Sequence, residues 1–364
     1  MSGNGHSRQA AREGDRSRYH PTMPGDVLRV LLLADTHLGF DLPQRPRVEY
    51  RRRGPDFFAN TERALAPAHG GEVDLVVHGG DLLFRSKVGA WLVERAFRPL
   101  LEVADRGVPV VVVPGNHERS NIPFPLLAAH QYLHILDRPR TLRLECRGMA
   151  VAVSGFPCQR DRVDTVFRDL VQATDWDHAA ADVRLLCIHQ TVEGARVGPA
   201  GYTFRPGHDV ISGRDIPAGF AAVLAGHIHR HQVLSAGLGG RPLAAPVLYP
   251  GSIERTSAAE RHETKGYLTL ELEPDRTRGG RLASWTFDPL PARPLVDLDL
   301  EHRGETAAVV VSRLEQSLAE LDPDAVVRVW LDHDHPPEVR AVLTVAAVRR
   351  LAPPTMTVTV RPRR

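Results

Sequence analysis

Val108-Pro-Val-Val-Val-Val-Pro-Gly-Asn-His-Glu118 decides how this chain is read. An apolar run of strand length, rich in β-branched residues, passes through Pro114 and Gly115 into an amide, an imidazole and a carboxylate in succession. β-branched side chains suit a buried pleated surface, and the polar triplet then marks the point where the strand opens onto solvent or a site. Four other apolar runs finish in the same manner. Val27 to Ala34 leads into Asp35-Thr36-His37, Val73 to His78 into Gly80-Asp81, Val183 to Ile188 into His189-Gln190, and Phe220 to Ala225 into Gly226-His227-Ile228-His229. In open α/β sheets, sites form beyond the carboxyl ends of the strands, so the five endings are expected to meet in one crevice.

Between these runs, Asp56 to Ala66 and Val88 to Asp105 carry helical spacing, which makes the class α/β around a largely buried sheet. After residue 230 the runs become shorter and alternating: Val247 to Tyr249, Tyr267 to Leu272 and Leu282 to Phe287. They predict a second sheet packed on the first. Pro289, Pro291 and Pro294 read as a linker. Beyond them, Leu295 to Leu300, Thr306 to Leu321, Val326 to Leu331, Pro337 to Leu351 and Met356 to Val360 alternate strand and helix as a small α+β domain. The expected organisation is a polar, disordered tail over 1–26, a main domain over 27–293 and a small domain over 294–364.

The chain has 364 residues, 42% of them hydrophobic, so it can bury a substantial core. Its formal charge of +2 does not announce a nucleic-acid binder, and charge has to be read locally. Only Lys87 and Lys265 among the 46 basic residues are lysines, as arginine-favouring codons would produce. Cys146, Cys158 and Cys187 have neither zinc-site spacing nor a disulfide framework, which fits a reducing cytoplasm. The amino-terminal segment lacks the apolar stretch of a secretory signal, and no apolar run approaches the ~20 residues of a membrane span.

Asp35, His37, Asp81, Asn116, His189, His227 and His229 supply carboxylate, amide and imidazole donors without thiolate, a set suited to manganese, iron or zinc in a catalytic rather than a structural site. Asp81 is best placed to bridge two ions. Gly80, Gly115 and Gly226 precede Asp81, Asn116 and His227, and are expected to allow the tight turns that aim them. The other histidines, His78 and His231 included, read as surface or satisfied core residues.

The ordered series Asp-x-His, Gly-Asp, Gly-Asn-His-Glu, His and Gly-His-x-His, from Asp35 to His229, resembles the signature of the calcineurin-like metallophosphoesterases. The resemblance implies a four-layer sandwich, two packed β-sheets flanked by helices, carrying two divalent metal ions. By it, Asp35, His37, Asp81 and His229 would hold one ion, and Asp81, Asn116, His189 and His227 the other. His117 would be the catalytic imidazole, giving a proton to the leaving oxygen or stabilising the transferring phosphoryl group.

Within that superfamily, Ala34 to Gly39, Leu224 to Arg230, Tyr249-Pro-Gly-Ser-Ile-Glu-Arg255 and Lys265-Gly-Tyr267 resemble the SbcD-type DNA repair exonucleases, with the segment after Arg293 similar to that branch's capping domain. This implies a manganese-dependent DNA exonuclease, with endonuclease activity a further expectation, working on DNA as a homodimer with an SbcC-like coiled-coil ATPase. The last strand is not expected to be followed by a docking helix for such an ATPase. The alternative is a phosphodiesterase or phosphatase for small nucleotides or phosphoproteins. Glu118 stands where the branch usually has Asp, and would alter the outer contact that orients the neighbouring histidine. The crowd of Arg45, Arg47, Tyr50, Arg51, Arg52 and Arg53 reads either as a phosphate contact or as a solvated face. Thr191 to Gly207 reads either as a mobile substrate loop or as an ordinary connection.

Overall fold

The computed structural model describes residues 27–42, 52–118, 127, 129–301 and 303–363. The expected tail, and Arg45, Arg47, Tyr50 and Arg51, lie outside the described residues. Two six-stranded sheets form the body. In the first, the order across the sheet is Arg281–Leu290, Lys265–Glu273, Leu28–Leu33, Leu75–His78, Val110–Val112 and Leu133–Ile135. The last four run parallel, and the first two add antiparallel. In the second the order is Gln232–Ala236, Pro242–Tyr249, Ala222–Gly226, Val183–His189, Met149–Gly155 and Arg140–Cys146, parallel at its centre and antiparallel at both edges.

Strand periodicity assigns the faces. Leu28, Val30, Leu32, Val77 and Val111 of the first sheet meet Val153, Leu185, Cys187 and Leu224 of the second in one buried core. The intervening residues Leu31, Leu33, Val76 and Val112 turn outward onto helices Gly54–His69 and Ala90–Ala104, through Phe57, Leu65, Phe97 and Leu100. On the far side of the second sheet, Leu186, Ile188 and Val223 pack against Phe167 and Val171 of helix Val163–Gln172. Helix, sheet, sheet and helix make the four expected layers.

The partition between sheets differs from the expectation. The strands leading to Asp35, Asp81 and Asn116 lie in the first sheet, whereas those leading to His189 and His227 lie in the second. The strands after residue 230 are shared out: Pro242–Tyr249 joins the second sheet, and Lys265–Glu273 with Arg281–Leu290 widens the first. Apolar runs buried on both faces look alike in either sheet, so their pattern does not encode membership. Pro289 lies within Arg281–Leu290, an edge position where proline's missing N–H is tolerated.

In the C-terminal unit, Leu295–Leu300, Val326–Leu331 and Thr357–Pro362 pair in parallel in that order. They enclose Val310, Leu314, Leu318, Val327, Val329, Val348 and Val358 with helix Ala307–Ala319. The helix expected over 337–351 is two, Pro337–Val342 and Val345–Leu351. Thr344 interrupts it by accepting the Ala347 N–H on its hydroxyl at 3.2 Å, as an N-cap does. Arg293 ties this unit to the body. Its guanidinium donates to the carbonyls of Asp324 and Thr355, while its own carbonyl accepts from Arg255. Among the described residues no helix is long and apolar enough to cross a membrane, and all three cysteines are free.

Candidate metal centre

All seven predicted donors and His117 meet where the carboxyl ends of the two sheets face each other. Backbone strain is concentrated there. Asp35 (φ +52°), His37 (φ +43°), Asp81 (φ +52°) and His227 (φ +87°) all occupy the left-handed region, which costs a non-glycine residue on the order of 1–3 kcal/mol. The expected role of the glycines is accordingly redistributed. Gly80 does take a positive φ, +103°, but Gly115 does not. Gly115 is needed for room: a Cβ on it would sit 2.2 Å from Asp81 Oδ1. The turns that aim the donors are made largely by the donors themselves.

The distances sort the donors into two groups. On one side His37 Nε2 lies 2.9 Å from His229 Nε2, and His229 Nε2 lies 3.9 Å from Asp35 Oδ1. On the other, His189 Nε2 is 3.5 Å from Asp81 Oδ2 and 3.2 Å from Asn116 Oδ1, which is 3.0 Å from His227 Nδ1. Ligand atoms of Asp35, His37 and His229, of Asp35, Asp81 and His189, and of His37, Asp81 and His117 each fall within 4.8 Å of one another. Asp81 therefore borders both groups, as expected of a bridge. The two sheets are stitched across the cage by the His227 N–H, which donates to the Asp35 carboxylate at 3.0 Å.

Whether the set fits cations is decided by the outer ring nitrogens. His189 Nδ1 donates to the Gly79 carbonyl at 2.8 Å, His117 Nδ1 to the Phe84 carbonyl at 2.6 Å, and His229 Nδ1 faces Glu260 Oε1 at 3.3 Å. With the outer nitrogen protonated, the inner nitrogens of His189 and His229 present a lone pair to the cage, the arrangement that metal-bound histidines use. His37 is the exception, its buried Nδ1 having no hydrogen-bond partner among the described residues. Oxygen and imidazole donors this close, with lone pairs inward, fit divalent cations.

The family described as calcineurin-like phosphoesterase matches residues 28–231, more than half of the chain and the span holding every donor. This chain belongs to that family. The DNA double-strand break repair protein Mre11 of Haloferax volcanii is 29% identical over 306 residues, 84% of this chain and 61% of that protein. The Mre11 protein of Halobacterium salinarum is 27% identical over 317 residues, 85% of this chain and 71% of its own length. One component of the nuclease SbcCD from Bacillus subtilis is 24% identical over 288 residues, 71% of this chain and 68% of that one. The chain thus spans less than two thirds of the Haloferax relative.

Electrostatics in this phosphoesterase cage follow from burial and crowding. Burial pushes the Asp35 carboxyl up to about 6 despite the pull of His229 and His189. Burial, and then the neighbouring His229, pushes His37 well below the usual imidazole range, so it stays neutral and available as a ligand. Asp81 goes the other way: burial opposes its charge, but His189, His37 and His117 outweigh that and hold it below the ordinary carboxylate range.

Several supports were not singled out by sequence reasoning. Glu260 accepts from Thr256 Oγ1 at 2.8 Å, from the Ser257 N–H at 3.0 Å and from the buried Lys265 ammonium at 2.7 Å, so the carboxylate behind His229 is itself pinned. The Ser257-x-x-Glu260 spacing of a capping box was the available signal. His78, expected to be bland, is fully buried beneath the cage. Its Nδ1 accepts the Gly80 N–H at 3.2 Å, so Nε2 carries the proton donated to Thr36 Oγ1, which in turn donates to the Leu82 carbonyl. Glu118 does not orient His117 through its side chain. It accepts the Leu83 and Gly115 N–H groups, both at 2.8 Å, clamping two donor loops together.

Arg53 is not a phosphate contact: it is buried against Glu254 at 3.2 Å and donates to the Arg255 carbonyl. Arg52 is half-exposed beside Asp41 at 3.2 Å. The Tyr249 to Arg255 motif is joinery. The Tyr249 hydroxyl donates to the Gln190 carbonyl and accepts the Val192 N–H, each at 2.9 Å. Thr191 to Gly207 is an ordered connection, with Arg196–Val197 paired to Tyr202–Thr203 and Arg230 donating to the Gly198 carbonyl at 2.8 Å.

Proposed function

We propose that this phosphoesterase is a metal-dependent DNA nuclease, exonucleolytic with accompanying endonuclease activity, that serves in repair. The observation carrying the reading is a cleft of about 790 Å³ between the body and the C-terminal unit. It is lined by Arg52, Arg85 and Lys87 from the body and by Arg349 and Arg361 from the C-terminal unit, with Trp91 on its wall. Asp41 is its one acidic lining residue among the described residues. Phe84, Arg85 and Lys87 also line the depression that contains His117, so the basic surface continues to the cage. A basic cleft with an exposed aromatic suits a polyanionic strand. A small monoester would not need a basic surface that reaches onto the C-terminal unit. The names of the Mre11 and SbcCD relatives point the same way.

In this reading Asp35, His37, Asp81 and His229 hold one ion and Asp81, Asn116, His189 and His227 the other, with manganese the proposed metal. Bound divalent ions would supply Lewis acidity and a water made nucleophilic at neutral pH. His117, its Nδ1 tied to Phe84, presents Nε2 to the cage 3.9 Å from Asp81 Oδ2, where its imidazolium form would give the Nε2 proton to the leaving oxygen. The deciding experiment incubates the full chain with manganese and end-labelled linear duplex or single-stranded DNA, with EDTA and His117→Asn controls. Cleavage of DNA that both controls suppress is expected. Hydrolysis of cyclic nucleotides or phosphopeptides with DNA untouched would overturn the nuclease reading in favour of a small-substrate phosphoesterase.

A further inference from the structure

We propose that Arg85, Lys87 and Arg160 form an anion subsite for a second phosphate of the substrate, adjacent to the phosphate being cleaved and on its leaving-group side. The assignment of side rests on the role given to His117 above.

The depression next to the cage, about 560 Å³, is lined by Phe84, Arg85, Ser86, Lys87, Asn116, His117 and Arg160, without a carboxylate among the described residues. Elsewhere in the protein arginines sit against acids: Arg328 against Asp297 at 2.6 Å, Arg313 against Glu305 at 2.7 Å. Among the described residues, Arg85, Lys87 and Arg160 form no ion pair within 4.0 Å. Three exposed cations around one hollow repel one another, and a multivalent oxyanion relieves that repulsion while accepting several charge-assisted hydrogen bonds.

Two of the three are held in place. The Arg85 guanidinium lies over the Phe84 ring, 5.7 Å from its centroid. Arg160 donates to the Asn116 backbone carbonyl, and its loop is fixed by the Cys158 N–H on the Pro114 carbonyl and by Gln190 Nε2 on the Gln159 carbonyl, both at 2.8 Å. An arginine has five N–H donors in a rigid fork, so this brace leaves others for a ligand. Asn116 thus turns its amide oxygen to the candidate metal side, toward His189 and His227, and its backbone oxygen to the anion side. Because the hollow shares Asn116 and His117 with the cage, its anion would be a near neighbour of the scissile phosphate. A nucleic-acid strand supplies such a neighbour; a simple monoester does not.

The test measures binding by calorimetry to the full chain with manganese, comparing a nucleoside 3′,5′-bisphosphate with the corresponding monophosphates. The bisphosphate is expected to bind at least tenfold more tightly than either monophosphate, and Arg85→Gln with Lys87→Gln to remove that advantage. Arg160→Gln is expected to reduce it, with partial rescue by Arg160→Lys. Equal affinities in the wild type, or an advantage untouched by the variants, would overturn the subsite. In parallel, the ratio of kcat/KM on a short oligonucleotide to that on bis(p-nitrophenyl) phosphate should fall about tenfold in the double variant. Absence of oligonucleotide cleavage alongside a retained bisphosphate advantage would sink the nuclease reading and leave the subsite standing.

Discussion

The body, which holds the donor cage, and the C-terminal unit line the basic cleft from opposite sides, and the cage and the C-terminal unit are held together in different ways. In the cage, Asp35, His37, Asp81 and His189 are buried polar groups, three of them on left-handed backbone, and the outer nitrogens of His117, His189 and His229 each face a named acceptor. The C-terminal unit coheres through aliphatic contacts among Val310, Leu314, Val327, Val329 and Val358, and Gly304 is its only described residue with positive φ. Directional contacts permit few substitutions, whereas apolar packing tolerates any set of side chains of similar volume. Chemistry is therefore pinned to particular residues on one side of the cleft, while the other side needs only to hold a charged surface in position.

The largest expected effect breaks the cage itself. Asp81→Asn should cost the protein its metal, read by elemental analysis, and take hydrolysis below detection; retained metal would remove Asp81 as the bridge. His117→Asn should leave metal content intact while lowering cleavage by roughly 10²–10⁴-fold, the range of general acid catalysis. Behind the donors, Glu260→Gln should weaken metal affinity or activity about 10–100-fold by freeing His229 to rotate, and an unchanged metal titration would reduce Glu260 to a cap.

Across the cleft the outcome should differ in kind. Leu314→Ala is expected to destabilise the C-terminal unit by about 2–5 kcal/mol with the cage still loading metal, measured by denaturation alongside elemental analysis. Simultaneous loss of both would show the two regions to be one cooperative unit. The smallest effect concerns pH. Burial, then the charge of Asp81, pushes Glu118 up to about 8 from an ordinary 4.5. The folded protein therefore binds a proton that the unfolded chain releases, and the resulting stabilisation is complete below about 4.5 and disappears as pH rises through 8. In EDTA-treated protein, Glu118→Gln should flatten the fall in stability across that window; an unchanged slope would assign it to another group.

Much of the cage was legible because each donor follows a strand, and a strand end is a place a sequence can mark. The sandwich was legible for the same reason. The division of strands between sheets was not, since Val183–His189 and Leu28–Leu33 are both largely apolar, each with an arginine as its second residue, and either could neighbour the other. Nor were the supports: His78 reaches Thr36 and Lys265 reaches the His229 carbonyl, 42 and 36 residues away, and nothing beside them in the chain indicates those distant partners. Arg53 misled because a buried guanidinium and an exposed one are written with the same letter, and only Glu254 distinguishes them. The split of the last helix at Thr344 carried a visible capping residue, but a single threonine inside a periodic stretch is weak punctuation.

The pairing of His37 with His229 spans 192 residues, and the brace on His229 comes from Glu260 and Lys265, later still. Leu28–Leu33 likewise gains its antiparallel neighbour only from Lys265–Glu273. During translation, then, a nascent chain displays the early donors long before the late ones leave the ribosome. An incomplete polypeptide released by a premature stop just before Glu260 would carry every donor, yet its last imidazole would swing free and its first strand would lie open at one edge.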